Sequence, residues 1–244
     1  MSSHYPNLND RKILAVDTSS NVLSVALCSG TDAIFEVNLD GEPRHSEFLI
    51  DLIQEGLKRL KIKKQDLDCL IWGLGPGSFT GLRIGLSALK GFHLGLKKKS
   101  FGGSSLDLIA LGAGMMDGEL AVCVNARRER IYTAVYQFKH GVVKKVLRDS
   151  LLSFDELIGK LSPETVITGD ALNAYGQALK TKMGKEMLFL KPIFWYPRAL
   201  FLLHLYESKR DWLKPLTLKS MAPQYLRRSE AEEKNISSPI RGED

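Results

Sequence analysis

The sequence predicts an α/β chain built in two lobes of similar size. A length of 244 residues suits one large domain or two modest ones. The first third passes from short apolar runs separated by turn residues to segments with apolar residues at helical spacing. The second half then supplies another set of strands and helices. With 44% hydrophobic and 25% charged residues, the composition is that of a globular chain and excludes collagen-like, mucin-like and globally disordered ones. A chain of this length buries a core without disulfides or metals to staple it.

Residues 13–16, 23–28 and 33–39 are short strands joined by turns, an antiparallel meander with the wholly apolar first strand at its centre. Gly41-Glu42-Pro43 breaks the chain, and Ser46 fits the N-cap of a helix reaching about Leu60. Leu49, Leu52, Ile53, Gly56, Leu57 and Leu60 form its apolar face. Phe48 and Ile50 lie off that face and leave more apolar surface than one core contact needs. Residues 69–74 form the next strand. After Gly75-Pro76-Gly77, Ser78 or Thr80 caps a helix running to about Leu96. Gly81, Gly85, Ala88 and Gly95 lie near one side of it. Each glycine costs about 1 kcal/mol of helix propensity relative to alanine, so another backbone should approach closely there. Lys97-Lys98-Lys99 suits the negative end of the helix dipole.

Further on, residues 104–111 start a helix and 120–124 form a strand. Residues 131–138 and 142–147 pair as a hairpin. A short helix at 154–161, a strand at 165–168 and a helix at 197–207 complete the order. The polar tail from Arg227 has almost no apolar content and is expected to be disordered.

Lysine and arginine exceed aspartate and glutamate by 34 − 28 = 6, which permits contact with nucleic acid without requiring it. Cys28, Cys69 and Cys123 stand far apart in apolar runs, as buried reduced thiols do. The N-terminus lacks the apolar core of a signal peptide, and no stretch reads as a membrane span. The expected compartment is the cytoplasm, with no membrane partner.

Two segments suggest anion chemistry. Asp17-Thr18-Ser19-Ser20 follows a buried strand, where a carboxylate and hydroxyls can hold a metal-bound phosphate, or simply make the turn. Residues 75–85, GPGSFTGLRIG, open a helix whose N–H groups attract anions. They match neither GxxxxGK[ST] nor GxGxxG, and a tight strand–helix joint explains them equally well. Arg127, Arg128 and Arg130 make a basic loop behind Asn125, for which a solvated loop is the commoner reading. His45 has Phe48 and Leu49 where a second metal ligand would sit one turn on, so no metal site is expected. Nothing supports a hydrolase.

Taken together, ILAVDTSSNVLSVAL, HSEFLIDLI and LGPGSFTGLRIGLSALKG resemble the TsaB (YeaZ) family. The resemblance runs on through NARRERIYTAVY, ITGDA, YPRALFLL and APQYLRRSEAE, nearly the whole chain. It implies the two-lobed actin/Hsp70/sugar-kinase-like fold with a mixed sheet in each lobe. The lobes would span residues 1–103 and 104–226, followed by the tail 227–244. It further implies a noncatalytic subunit of the bacterial machinery that makes N6-threonylcarbamoyladenosine (t6A) in tRNA. Such a subunit pairs with a TsaD-type catalytic subunit, is joined by a TsaE-type ATPase, forms a homodimer when alone and meets tRNA indirectly.

The catalytic relatives carry an HxxxH metal pair at the helix that begins with His45; Leu49 stands here at the second position. Partner contact is then expected at or just behind His45, Phe48, Leu49, Leu52, Ile53, Gly56, Ser78, Gly81, Arg83 and Gly85. No cofactor is expected to bind tightly to this chain alone, ATP being used by partner proteins. Asn125 departs from the aspartate usual in the family. A kinase or ATPase of the same superfamily is the competing expectation. It would need a second phosphate loop, for which Gly169-Asp170-Ala171 is the one candidate.

Overall fold

Apolar residues on consecutive positions bury both faces of the first strand, β1 (Lys12–Asp17), and put it inside a sheet. It pairs antiparallel with β2 (Val22–Ser29), and β2 with β3 (Ala33–Asp40), giving the expected meander. The computed structural model describes residues 11–29, 33–41, 44–114, 117–208, 211–224 and 226. The tail from Arg227 and the pair Glu42-Pro43 lie outside them.

On the other side of β1, β4 (Cys69–Gly73) runs parallel, reached through helix α1 (His45–Arg59). Helix α2 (Phe79–Leu96) leads to β5 (Lys99–Gly103), parallel to β4. The sheet ends in β10 (Lys214–Leu216), antiparallel to β5, so its order is β10-β5-β4-β1-β2-β3. Helices α1 and α2 cover one face, over Leu14, Val16, Leu70 and Trp72. Helix α6 (Leu200–Glu207) covers the other, over Ile13, Ala15 and Ile71.

The second sheet has the order β8-β7-β6-β9. Its strands are β6 (Gly118–Asn125), β7 (Arg130–Lys139), β8 (Val142–Ser153) and β9 (Val166–Thr168). Only the β6–β9 pair is parallel. Helices α4 (Phe154–Ile158) and α5 (Leu172–Met183) flank it. Helix α3 (Ser105–Gly112) lies between the two sheets. Its Leu108 joins the core of the first, and its Leu106, Ile109 and Ala110 join that of the second.

The structure corrects several expectations. Ser46 lies within α1, whose N-cap is Arg44 without a side-chain bond. Ser78 caps α2 by accepting the Gly81 N–H. Lys97 alone ends that helix, in a left-handed conformation, whereas Lys99 already belongs to β5. The final helix starts at Leu200, not at Pro197. Helix α5 and strands β5 and β10 carry no counterpart in the sequence reading. Because β10 comes from the second half of the chain, a division between residues 103 and 104 does not separate the sheets.

Long-range bonds fasten the returning chain to the first sheet and, through Gln224, to the second lobe. The Ala199 N–H donates to Ser24 Oγ at 2.7 Å, and Arg198 pairs with Glu36 of β3. Gln224 donates its backbone N–H to Leu74 O (2.8 Å) in the first lobe and its side-chain amide to Asp149 (2.9 Å) in the second. Asp149 also receives Lys145, which pairs in turn with buried Asp107 of α3, and Tyr136 donates to Asp107 at 2.7 Å. Burial pushes Asp107 up to about 6 in spite of Lys145. Burial opposes the Lys145 charge, yet Asp107 and Asp149 together hold its pKa above the ordinary value.

The three cysteines are buried free thiols, pushed by burial to about 11 for Cys28 and about 12 for Cys69 and Cys123. Among the described residues no helix is long and apolar enough to cross a membrane.

Candidate functional site

The turn after β1 lies where the lobes meet. Asp17, Thr18 and Ser19 are buried at 0%, 0% and 4% exposure. Asp17 Oδ1 accepts the Ser19 N–H (2.8 Å) and hydroxyl (2.7 Å), and its Oδ2 accepts the Ser105 hydroxyl at 2.6 Å. Burial raises its pKa, with these bonds opposing. A carboxylate held by three donors of its own chain serves the turn rather than a ligand.

The carbonyls of the same turn face the glycine-rich start of α2. Ser78 N–H donates to Ser19 O at 2.6 Å. A Cβ added at Gly77 would lie 2.1 Å from Ser19 O, and one at Gly81 the same distance from Thr18 O. At Gly85 it would stand 2.3 Å from Thr18 Oγ1. The close approach expected of the glycines is therefore supplied by this chain's own backbone at Gly77 and Gly81 and by the Thr18 side chain at Gly85, and is absent at Gly95.

The candidate loop in the second lobe is used in the same way. Asp170 accepts the Asn125 N–H at 2.7 Å, Ala171 N–H donates to Cys123 O, and Gly169 (φ +113°) leaves no space for a side chain above Cys123. Between the loops lies a cleft of about 230 Å³ whose lining includes Ser19, Ser20, Pro76, Ser105, Asp170 and Trp195. The donors at Ser19, Ser78, Gly81 and Ser105 are already bonded within the chain, whereas the buried Thr18 Oγ1 has no hydrogen-bond partner among the described residues.

His45 is 4% exposed and bonds through Nε2 to Ser20 O at 2.8 Å. Leu49, one turn on, is 1% exposed in the core beneath α1. Among the described residues no three histidine, cysteine or acidic side chains come together as a metal site would need.

What the site does expose is a pair of helices. Both start at the turn after β1, where His45 meets Ser20 and Gly81 meets Thr18, and both end toward the end of the sheet where β4 and β5 begin. Ile53 and Gly56 are buried, and Leu52 packs partly into the core. Phe48 and Ile50, at 38% and 40% exposure, stand outside, as do Phe79 and Leu94 of α2 at 41% and 58%. Arg83 is exposed and lies over the Phe79 ring, 5.4 Å from its centre. Of the predicted interface residues, Phe48, Ser78 and Arg83 are thus at the surface and the rest behind it.

Sequence reasoning passed over Gly91 and Leu94. Gly91 and Gly95 are exposed, and a Cβ added at either would meet nothing within 4 Å. Their spacing of four along a helix, with Leu94 beside them, was the available signal.

The basic loop stands apart from this face. Arg127, Arg128 and Glu129 all take left-handed backbone angles (φ 59°, 47° and 58°). Asn125 Oδ1 accepts the Arg127 N–H at 2.8 Å, a role that an aspartate oxygen would fill equally, so the departure at this position keeps the turn. Arg130 pairs with exposed Glu156 at 3.2 Å.

Comparison with known proteins places this geometry. Residues 41–194, more than half of the chain, match the family model described as TsaD, tRNA N6-adenosine threonylcarbamoyltransferase. The Escherichia coli tRNA threonylcarbamoyladenosine biosynthesis protein TsaB is 32% identical over 184 residues, 72% of this chain and 76% of that protein. The Bacillus subtilis protein of the same name is 28% identical over 229 residues, covering 93% and 98%. A Pseudomonas aeruginosa structure described as YeaZ superposes with a TM-score of 0.70 at 21% identity, covering 88% of this chain and all of that one. That likeness concerns the fold, a two-lobed α/β architecture with a mixed sheet in each lobe. At 32% identity over three quarters of the Escherichia coli protein, this chain belongs to the TsaB (YeaZ) family.

Proposed function

We propose that this chain takes part in synthesis of threonylcarbamoyladenosine in tRNA as a noncatalytic subunit. It pairs through α1 and α2 with a TsaD-type catalytic subunit, and a TsaE-type ATPase joins them. The observation that carries this reading is the pair His45 and Leu49. The histidine is turned inward onto Ser20 O, and an isobutyl group fills the core where a second imidazole would be needed. The Asp17 and Asp170 carboxylates, which accept bonds from within the chain, support the same view and leave nucleotide use to partners.

The surface that remains suits pairing. Phe48, Phe79 and Leu94 are exposed apolar groups on two neighbouring helices, and exposed apolar patches mark protein contacts. The same face accounts for a homodimer when the catalytic partner is absent. Reconstitution of the modification with TsaD- and TsaE-type partners tests the reading. Product is expected only when this chain is added, and equal product without it overturns the proposal.

A further inference from the structure

Two lysine runs far apart in the sequence meet at one edge of the first lobe. Strands β4 and β5 are parallel with Cys69 opposite Lys99, so the segments entering them emerge side by side. Ile62 and Leu96 both pack into the core beneath α1 and α2, and the parallel register of β4 and β5 puts the segments carrying Lys61, Lys63 and Lys97 at the same end of the sheet. Lys61, Lys63, Lys64, Lys97 and Lys99 are exposed and Lys98 is half-buried. None of the six forms an ion pair with a described residue. Their neighbours Arg11 and Lys12 are matched by Asp68 and Asp66 at 3.4 and 3.9 Å.

The charge is concentrated here. The whole chain has a formal charge of +6, and these six lysines leave 6 − 6 = 0 for everything else. Neutralising the C-terminal dipoles of α1 and α2 accounts for roughly one charge in total. Lys61 and Lys97 both sit at φ 54°, the left-handed position after a helix that glycine fills most easily.

We propose that this edge binds the phosphate backbone of RNA, holding tRNA without reading its bases. The proposal rests on the reading that the chain works in a tRNA-modifying complex. Lysines act as point charges on phosphate, whereas bidentate base recognition calls for arginine, absent from these six positions. A membrane-surface site would place apolar side chains outward among the lysines. Ile62, the apolar residue between Lys61 and Lys63, is instead 6% exposed, and the exposed Leu94 lies one turn before Lys97 on the helix face assigned to the partner. Because α1 and α2 end at this edge, it continues the face assigned to the catalytic partner.

The experiment measures binding of a labelled, unmodified tRNA transcript to the purified chain by anisotropy across a salt series. Six phosphate contacts predict affinity falling about a thousandfold between ~50 and ~200 mM salt. The combined change Lys61→Glu, Lys63→Glu, Lys97→Glu and Lys98→Glu should lower the salt slope by about 3–4 and cut low-salt affinity at least about a hundredfold. Replacing Arg127, Arg128 and Arg130 with alanine should leave affinity within about twofold. Undiminished binding by the lysine variant overturns the proposal, as does absence of binding by the natural chain at low salt. Equal, lysine-dependent binding to phosphatidylserine vesicles would also overturn it, by making the edge a membrane site. Co-purification with the catalytic partner, measured in parallel, confirms that the variant is folded. Failure of the natural chain to pair would strike the proposed function rather than the lysine edge.

Discussion

Gly81 and Gly85, in the first half of α2, have no room for a methyl group, whereas Gly91 and Gly95, in its second half, face open space. In the first half the chain meets itself, because the turn after β1 lies against the helix and excludes any side chain. In the second half nothing in this chain offsets the helix propensity given up by glycine. The contrast extends across the site. The cleft end of the helices is packed against this chain's own turn, and their outer face, with Phe48 and Leu94, is exposed.

The largest effect is expected from Gly81→Ala, whose Cβ would meet the Thr18 carbonyl, backbone that no side-chain rotation can move. A loss of about 2–3 kcal/mol should appear in urea unfolding, and a neutral result would remove the close approach from the first half. On the outer face, Leu94→Glu should weaken pairing at least about tenfold, or ~1.4 kcal/mol, with the melting temperature little changed. Analytical ultracentrifugation reads it, and unaltered association would show that this half is plain solvent surface. Leu52 is a poorer probe, since it packs partly into the core.

Buried charge gives a comparison by pH. The folded pKa of Asp107 is raised to about 6 from an ordinary 3.8, so its contribution to stability is full below about 4 and lost as pH rises through 6. Against Asp107→Asn, the natural chain should therefore lose about 1–3 kcal/mol of relative stability between pH 4 and 6.5 by chemical denaturation. A gap that stays constant with pH would refute the shifted carboxyl.

Gly91→Ala should act in the opposite sense from Gly81→Ala, stabilising the lone chain by about 0.5–1 kcal/mol. If a partner's backbone approaches there, the same change weakens pairing. Arg130→Ala should move stability by less than about 0.5 kcal/mol, because its ion pair with Glu156 is exposed.

Much of this was legible in the sequence. The meander, both long helices and the Ser78 cap follow from apolar spacing and turn chemistry. Strand β5 was hidden because KSFGG opens on a lysine and ends on two glycines, with Phe101 its one large apolar residue; its neighbours supply the order. Strand β10 contains Pro215, which an edge position tolerates and a local pattern does not reveal. Helix α5 did carry a signal, Leu172, Gly176 and Leu179 at helical spacing, blurred by the glycine at its centre. At the site, periodicity identified which helices matter. It could not separate a glycine against this chain's own turn from one left open, because that depends on a residue sixty or more positions away.

The return of the chain to its first sheet has a consequence for synthesis on the ribosome. The β-meander emerges early, but Glu36 waits for Arg198, the β5 edge for residues 214–216 and Leu74 for Gln224. Translation at about 5–20 residues per second leaves those edges uncovered for roughly six to thirty seconds. During that interval the nascent first lobe presents an unpaired strand and an uncovered apolar face, so chaperone dependence should concentrate in the first lobe even though it is made first.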